Sequence, residues 1–276
     1  FMTKKVAIQG IEGSFHHIVS QTYFEDAVVV QPYLSFGEVV QSLISKTSDV
    51  AVMALENSIA GSIIPNYAHI DDQNLHITGE YFLEIQHNLM ALEGQSIADI
   101  NEVFSHPMAL LQCKEFFKQY PHIKLIEDTD TAEVAQRISK AKLKGVAAIA
   151  SEQAAQLFEL NILAESIQTI KHNETRFVIV ERNQIEQQTS LINKASVKFL
   201  LDHKRGSLAT MLNVMSDCNL NLTKIQSLPK IDTPWKYAFF VDITFEDFSD
   251  YEKGKAIMKI MAEEFKILGE YKNAKK

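Results

Sequence analysis

The sequence predicts an α/β protein in two parts: strands alternating with helices over residues 1–182, then a ferredoxin-like β-α-β-β-α-β order over residues 194–276. Three observations carry this reading. Short apolar runs end repeatedly in polar loops, helical-period apolar stripes lie between them, and residues 183–193 form a polar stretch without amphipathic period that reads as a linker.

Val6 to Gln9 is a strand signal, Gly10-Ile11-Glu12-Gly13-Ser14 a turn, and Phe15 to Phe24 a helix. Phe36, Val39, Val40, Leu43 and Ile44 recur at helical spacing, and Val50 to Leu55 is a continuous apolar run of the kind that fills a buried parallel strand. Glu56-Asn57-Ser58 then falls at that strand's C-terminal end, where ligands gather in open α/β sheets. Val103-Phe104 leads through Ser105-His106-Pro107 into a helix running to about Tyr120, with Ser105 expected as its cap and Pro107 in its first turn. Leu110, Cys113 and Phe117 mark the apolar side, so Gln112 is free to share the face of Ser105. Thr129-Asp130-Thr131 caps a helix through Val134, Ile138 and Ala141, Val146 to Ala150 is a strand, Ser151 is a further cap, and Phe177 to Val180 closes the first part.

Beyond the linker, Ser196 to Leu201 is a strand, and Leu208, Met211, Leu212 and Met215 share one helix face. Leu222 to Ser227 and Tyr237 to Phe245 are strands, Tyr251 to Phe265 a helix and Ile267 to Tyr271 a closing strand.

Composition narrows the function classes. A net charge of -8 over 276 residues argues against a nucleic-acid surface, which needs clustered Lys and Arg. The apolar runs are too short for a bilayer span, and no long apolar segment with a small-residue cleavage site follows Lys4-Lys5, so a cytoplasmic location is expected. Cys113 and Cys218 lie far apart and form neither a redox nor a metal pair, so free thiols are expected and no metal site. No Walker loop, nucleophile elbow or His-Glu-x-x-His pattern is present, and Gly10-Ile11-Glu12-Gly13 lacks the spacing of a dinucleotide loop, so a nicotinamide cofactor is not expected.

The polar loops carry an ordered set of motifs: Glu56-Asn57-Ser58-x-x-Gly61-Ser62, then Ser105-His106-Pro107 with Gln112-Cys113, then Asn173-Glu174-Thr175-Arg176-Phe177. Together they resemble prephenate dehydratase through about residue 182, and the segment beyond the linker looks like the ACT domain with which such enzymes sense phenylalanine. The resemblance implies a two-lobed fold like that of periplasmic binding proteins, and loss of carbon dioxide and water from prephenate without a cofactor. It implies Thr175 as proton donor and Asn57, Ser58, Ser105, Gln112 and Arg176 as substrate-binding residues. It further implies a regulatory ligand site at Gly206, Ser207, Leu208, Gln226 and Ser227, phenylalanine as effector, and a homodimer or homotetramer.

Departures from the family pattern are visible. Ala54-Leu55 replaces the usual Pro before Ile-Glu-Asn-Ser, Gly13-Ser14-Phe15-His16 stands for Gly-Thr-Phe-Ser, and Asp130 for Ser. Asp130 adds an anion near a site for a dianion, so it must face solvent, cap its helix or weaken binding. In the second part, Gln226-Ser227-Leu228-Pro229 stands for Glu-Ser-Arg-Pro, removing an Arg on which phenylalanine sensing would lean. Bland readings stand beside these. Taken alone, Thr175 is a strand-edge residue, Asn57 and Ser58 are helix caps, Gln112 is a solvated helix residue, and Arg176 is a structural ion-pair partner. Three functions compete with the first: arogenate dehydration, a solute-binding protein, and a non-catalytic amino-acid sensor.

Overall fold

A computed structural model describes residues 3–25, 28–184, 187–202, 204–230 and 236–275. Ile185 and Glu186 of the expected linker lie outside these residues. The strands are β1 (Lys4–Gln9), β2 (Val28–Tyr33), β3 (Val50–Asn57), β4 (Gly61–Ser62), β5 (His76–Glu84), β6 (Asn88–Ala91), β7 (Glu102–Ser105), β8 (Lys124–Glu127), β9 (Val146–Ala150), β10 (Asn161–Ala164), β11 (Glu174–Glu181), β12 (Lys194–Leu200), β13 (Asn221–Pro229), β14 (Tyr237–Thr244) and β15 (Glu264–Tyr271). The helices are α1 (Phe15–Phe24), α2 (Phe36–Ile44), α3 (Ile64–Asp72), α4 (Pro107–Phe117), α5 (Thr131–Ala141), α6 (Glu152–Leu157), α7 (Ser207–Asp217) and α8 (Phe248–Met261).

Packing divides the chain into two compact units, one of residues 1–61 with 82–177 and the other of residues 62–81 with 178–276. The first unit holds two α/β lobes. Its first lobe is built on β1, β2 and β3, with β1 parallel to both β2 and β3, within a sheet of order β2-β1-β3-β11-β5 whose β5 and β11 include residues of the second unit. Val50 to Leu55, the first six residues of β3, are all buried, as a strand covered on both faces requires. The second lobe has the order β10-β6-β9-β7-β8, with β7 parallel to β8 and β9 and with β6 antiparallel to β9. Successive residues of its central strands point to opposite faces. Leu89, Ala91, Ala147 and Ile149 therefore join a core with Ala109, Leu110, Cys113 and Phe117 of α4, whereas Met90, Ala148 and Ala150 meet Val134, Ala135 and Ile138 of α5. The chain passes between the lobes twice, through residues 85–87 and 165–173.

These crossing segments are bonded to each other. Ile85 N–H donates to Asn173 O at 2.6 Å, Ile167 N–H to His87 O at 2.8 Å, and His87 N–H to the buried Gln168 Oε1 at 3.0 Å. Such a connection leaves no buried backbone donor of His87 unpaired, and it fixes the residue where one lobe becomes the other.

The second unit contains an antiparallel sheet of order β13-β14-β12-β15. Val197, Phe199, Val241 and Ile243 form its core with Met211 and Met215 of α7 and Tyr251 and Met258 of α8. This is the β-α-β-β-α-β order expected from the sequence. The last helix is shorter than its apolar pattern suggests. It stops at Met261, because Glu264 already pairs with Leu200 in the ladder of β15 and β12.

Residues 62–81 pack with this sheet. Tyr67 of α3 meets Phe240 edge-on, with ring centres 5.4 Å apart, and Asp71 accepts from Lys198 at 2.6 Å and Lys266 at 2.7 Å. A Cβ on Gly269 would lie 2.1 Å from Ile77 O, so this backbone approach admits glycine alone. Beside it, Lys194 Nζ reaches both oxygens of Glu80 at 2.8 and 2.9 Å, with the two side chains 6% and 0% exposed. Removing one partner of a buried ion pair strands the other. Lys194→Met is therefore expected to destabilise the protein by about 3–5 kcal/mol, read from the midpoint of chemical denaturation; an unchanged midpoint would show that the pair does not hold this face.

Candidate active site

Three segments bring polar residues of the sequence motifs to the junction of the two lobes: the end of β3, the helix α4 and the start of β11. Asn57 ends β3, and its Oδ1 accepts from the backbone N–H groups of Ile59 (3.0 Å) and Ala60 (2.8 Å). That arrangement turns its amide nitrogen the other way. Asn57 Nδ2 donates to Asn173 Oδ1 at 2.7 Å and to Thr175 Oγ1 at 2.9 Å, with Glu174 O further off at 3.3 Å. Asn173, fully buried, passes the pattern on by donating from Nδ2 to Gln112 Oε1 at 2.8 Å. Gln112 Oε1 lies 3.0 Å from His87 Nε2, and the Gln112 carbonyl accepts from Thr169 N–H at 2.9 Å. The result is a chain of neutral groups running from Thr175 to His87 across the lobe junction.

Thr175 lies within β11, at its second residue, because the strand begins at Glu174, three residues before the apolar run that starts at Phe177. Its hydroxyl accepts from Asn57 and donates to no described group. Arg176 follows it and so points to the other face of the sheet, where it is 3% exposed and engaged within the fold.

Two expected caps are corrected by the structure. Ser105 does not cap α4: it ends strand β7, its hydroxyl donates to Ile149 O at 2.7 Å, and His106 Nδ1 takes the capping place by accepting from Met108 N–H at 3.2 Å. Nor does Ser58 cap a helix, because α3 begins six residues later at Ile64. Ser58 instead clamps the start of β11, its N–H donating to Glu174 O at 2.8 Å and its Oγ accepting from Glu174 N–H at 2.9 Å. The Ser105 proton is thus committed within the second lobe, and Ser58 fixes the strand that presents Thr175.

Asp130 takes the second of the three places open to it, capping α5 with Oδ1 accepting from Ala132 (2.8 Å) and Glu133 (3.0 Å) N–H. Ser14 caps α1 and Ser151 caps α6, and Ser151 Oγ also donates to Gly13 O at 2.7 Å. His16 lies between the rings of Phe36 and Phe177 and accepts from Ala54 N–H at 3.3 Å; burial draws it down to about 4, so it is neutral. Burial pushes the Cys113 thiol up to about 12, which makes it a core residue and no nucleophile.

The regulatory candidates lie in the second unit. Gly206 precedes α7 with φ +86°, Ser207 Oγ donates to Lys204 O, and Leu208 packs on the sheet core. Gln226 and Ser227 lie on the edge strand β13, with Gln226 Nε2 donating to Ser227 O. Asn173 and His87 were not singled out as site residues from sequence. Asn173 stands inside a recognised motif, whereas nothing near His87 marks it before its partner Gln112 is placed in space.

A two-lobed α/β fold with a neutral, hydrogen-bonding cluster at the lobe junction, continued by a βαββαβ unit, defines a protein of the bilobal, periplasmic-binding-protein-like fold class. The chain belongs to the prephenate dehydratase family, whose model matches residues 6–185. It is 35% identical over 247 residues to the chloroplastic arogenate dehydratase/prephenate dehydratase 2 of Arabidopsis thaliana, covering 86% of this chain and 64% of that protein. The prephenate dehydratase of Staphylococcus aureus is similar in structure, with a TM-score of 0.83 at 26% identity over 97% of this chain and 99% of that one. A prephenate dehydratase from Arthrobacter aurescens, in complex with L-Phe, shares the fold with a TM-score of 0.86 at 24% identity, over 98% of this chain and 90% of that one.

Burial, the largest influence, holds the Asp130 carboxyl above its ordinary value against the pull of its two backbone donors. The folded state therefore binds this proton more tightly than the unfolded chain does. Its contribution to stability is full below the unfolded value of about 3.9 and is lost as pH rises through the folded one. Asp130→Asn keeps the capping oxygen and removes the titration. Between about pH 3 and about pH 7 the variant is expected to lose less stability than the parent, measured by denaturation across a pH series. Identical pH profiles would contradict the assignment.

Proposed function

We propose that the chain is itself a prephenate dehydratase, converting prephenate to phenylpyruvate, with Thr175 supporting departure of the hydroxyl. The observation that carries this reading is the commitment of the Thr175 oxygen: it accepts from Asn57 at 2.9 Å, and its own proton is left for another acceptor. In prephenate the bond to the ring carboxylate breaks to release carbon dioxide, and its electron pair enters the ring. The opposite carbon–oxygen bond then breaks, and one proton accompanies the oxygen out as water. Aromatisation drives the sequence, and no redox partner takes part. A threonine hydroxyl is a very weak acid, so its contribution is a hydrogen bond that strengthens as negative charge builds on the departing oxygen.

Asn57 positions that hydroxyl, and Gln112 offers its amide nitrogen to substrate oxygens without adding charge. Ser58 and Ser105 support the site through the backbone bonds described above, and Arg176 is buried on the face of β11 opposite Thr175. Moving the ring carboxylate from water into such surroundings favours its loss as a neutral gas. Thr175→Ala is expected to lower kcat by about 10²–10⁴-fold, with Thr175→Ser retaining a measurable part of the rate, as followed by phenylpyruvate absorbance. Full turnover by the alanine variant would remove Thr175 from the chemistry.

Arogenate is the second substrate to test, because a relative bears both activities in its name. The two differ in a keto or an amino group on the side chain, and the ratio of kcat/KM for the pair decides between them. Failure to turn over either one would favour a non-catalytic sensor.

The reading extends to domain roles: residues 1–182 catalyse, 183–193 link, and 194–276 form an ACT domain that senses phenylalanine in a cytoplasmic homodimer or homotetramer. The βαββαβ order, the left-handed Gly206 before α7 and the L-Phe complex of a similar fold support it. Leu228, in the place of the family's Arg, lines a cavity of about 310 Å³ with Lys198, Lys230, Phe240 and Glu264. Phenylalanine titrated into the assay is expected to lower turnover. An unaltered rate at saturating phenylalanine would show that the loss of that Arg has disconnected the sensor.

A further inference from the structure

His87 belongs to the cluster, yet neither the motifs nor the proposed reaction gives it a task. Its protonation pattern follows from the backbone. The N–H groups of Ile59 and Ala60 can only donate, so the atom of Asn57 facing them is its oxygen. The nitrogen of Asn57 then faces Asn173 Oδ1, the nitrogen of Asn173 faces Gln112 Oε1, and an amide oxygen can only accept. His87 Nε2, 3.0 Å from that same oxygen, therefore carries the proton. His87 Nδ1, buried with no hydrogen-bond partner among the described residues, is then a bare lone pair whose cost the fold retains. Burial draws His87 down to about 4, the Gln112 bond notwithstanding, so the ring that donates is neutral.

Gln112 Oε1 is thus gripped by two donors, and its NH₂ is the part of the side chain with no partner among the described residues. We infer that His87 is a positioning residue for the proposed dehydration, its Nε2–H holding the Gln112 amide in the one orientation that presents NH₂ and not oxygen to the substrate. The ring suits this task because it is itself immobile. His87 is 4% exposed, Phe15 meets it edge-on with ring centres 5.8 Å apart, and its backbone is tied to Ile167 and Gln168 at the lobe crossing. A substrate rich in carboxylate and hydroxyl oxygens needs donors, and a reversed Gln112 would set an oxygen against an oxygen.

This role rests on the proposed reaction, and side-chain geometry supplies its test. Glutamine places an N–H where histidine has Nε2, whereas asparagine places one where histidine has Nδ1, too short to reach Gln112. With prephenate as substrate, His87→Gln is expected to keep kcat/KM within about threefold of the parent, and His87→Asn and His87→Leu to lose about tenfold, the scale of one neutral hydrogen bond. In a Gln112→Leu background, His87→Leu is expected to cost less than about twofold more, because the two act through one contact. Asparagine as active as glutamine, or a full loss on top of Gln112→Leu, would overturn the role; so would leucine at the parent rate. If His87→Leu fails to fold, the glutamine and asparagine pair decides alone. Absence of turnover by the parent enzyme overturns the reaction and the role together, whereas turnover with a flat variant series overturns the role only.

Discussion

The bond from Asn57 to Asn173 is the one on which the site's architecture depends, because it joins an amide whose direction the backbone dictates to an amide that has no exposure to water. Once Asn57 is turned by two main-chain donors, each successive side chain has a single way to face its neighbour. A cluster of amides would otherwise have many near-equivalent arrangements, each with donors opposing donors. With its internal donors and acceptors matched in this way, the network rigidifies the uncharged groups it contains.

The architecture around the network follows the same economy. The two segments that cross between lobes bond to one another, and the residues that complete the cluster, His87 and Asn173, come from those segments. The site is thereby attached to the place where the lobes are joined. In the second unit the equivalent task falls to ion pairs: Asp71 takes two lysines and Glu80 takes one, so that α3 and the start of β5 are fixed to the sheet by charge where they lack a broad apolar face.

Much of this was legible in the amino-acid sequence. Apolar runs such as Val50 to Leu55 and Val146 to Ala150 are strands because nothing but burial on both faces accounts for them, and the caps Asp130 and Ser151 begin helices where local chemistry requires it. The order of the C-terminal unit was equally readable. Ser105 and Ser58 show where local reading fails: a serine before a helix looks like a cap, yet each side chain found a main-chain partner distant in sequence, Ile149 for one and Glu174 for the other. Strand β2 and helix α3 lacked a distinct period, since β2 is an edge strand and α3 turns only part of itself inward. His87 was invisible for a deeper reason. Its meaning lies in a contact with Gln112, twenty-five positions away, that exists only after two lobes have formed.

The choice of amides also settles how the clasp responds to acidity. None of Asn57, Asn173, Gln112 or Thr175 changes charge in the range where cells live, and the imidazole that ends the chain takes a second proton only near about 4. Swings in acidity above that point consequently leave the charge of these five groups as it was built, and the titration that remains is carried by groups outside the network, such as the buried Asp130 carboxyl.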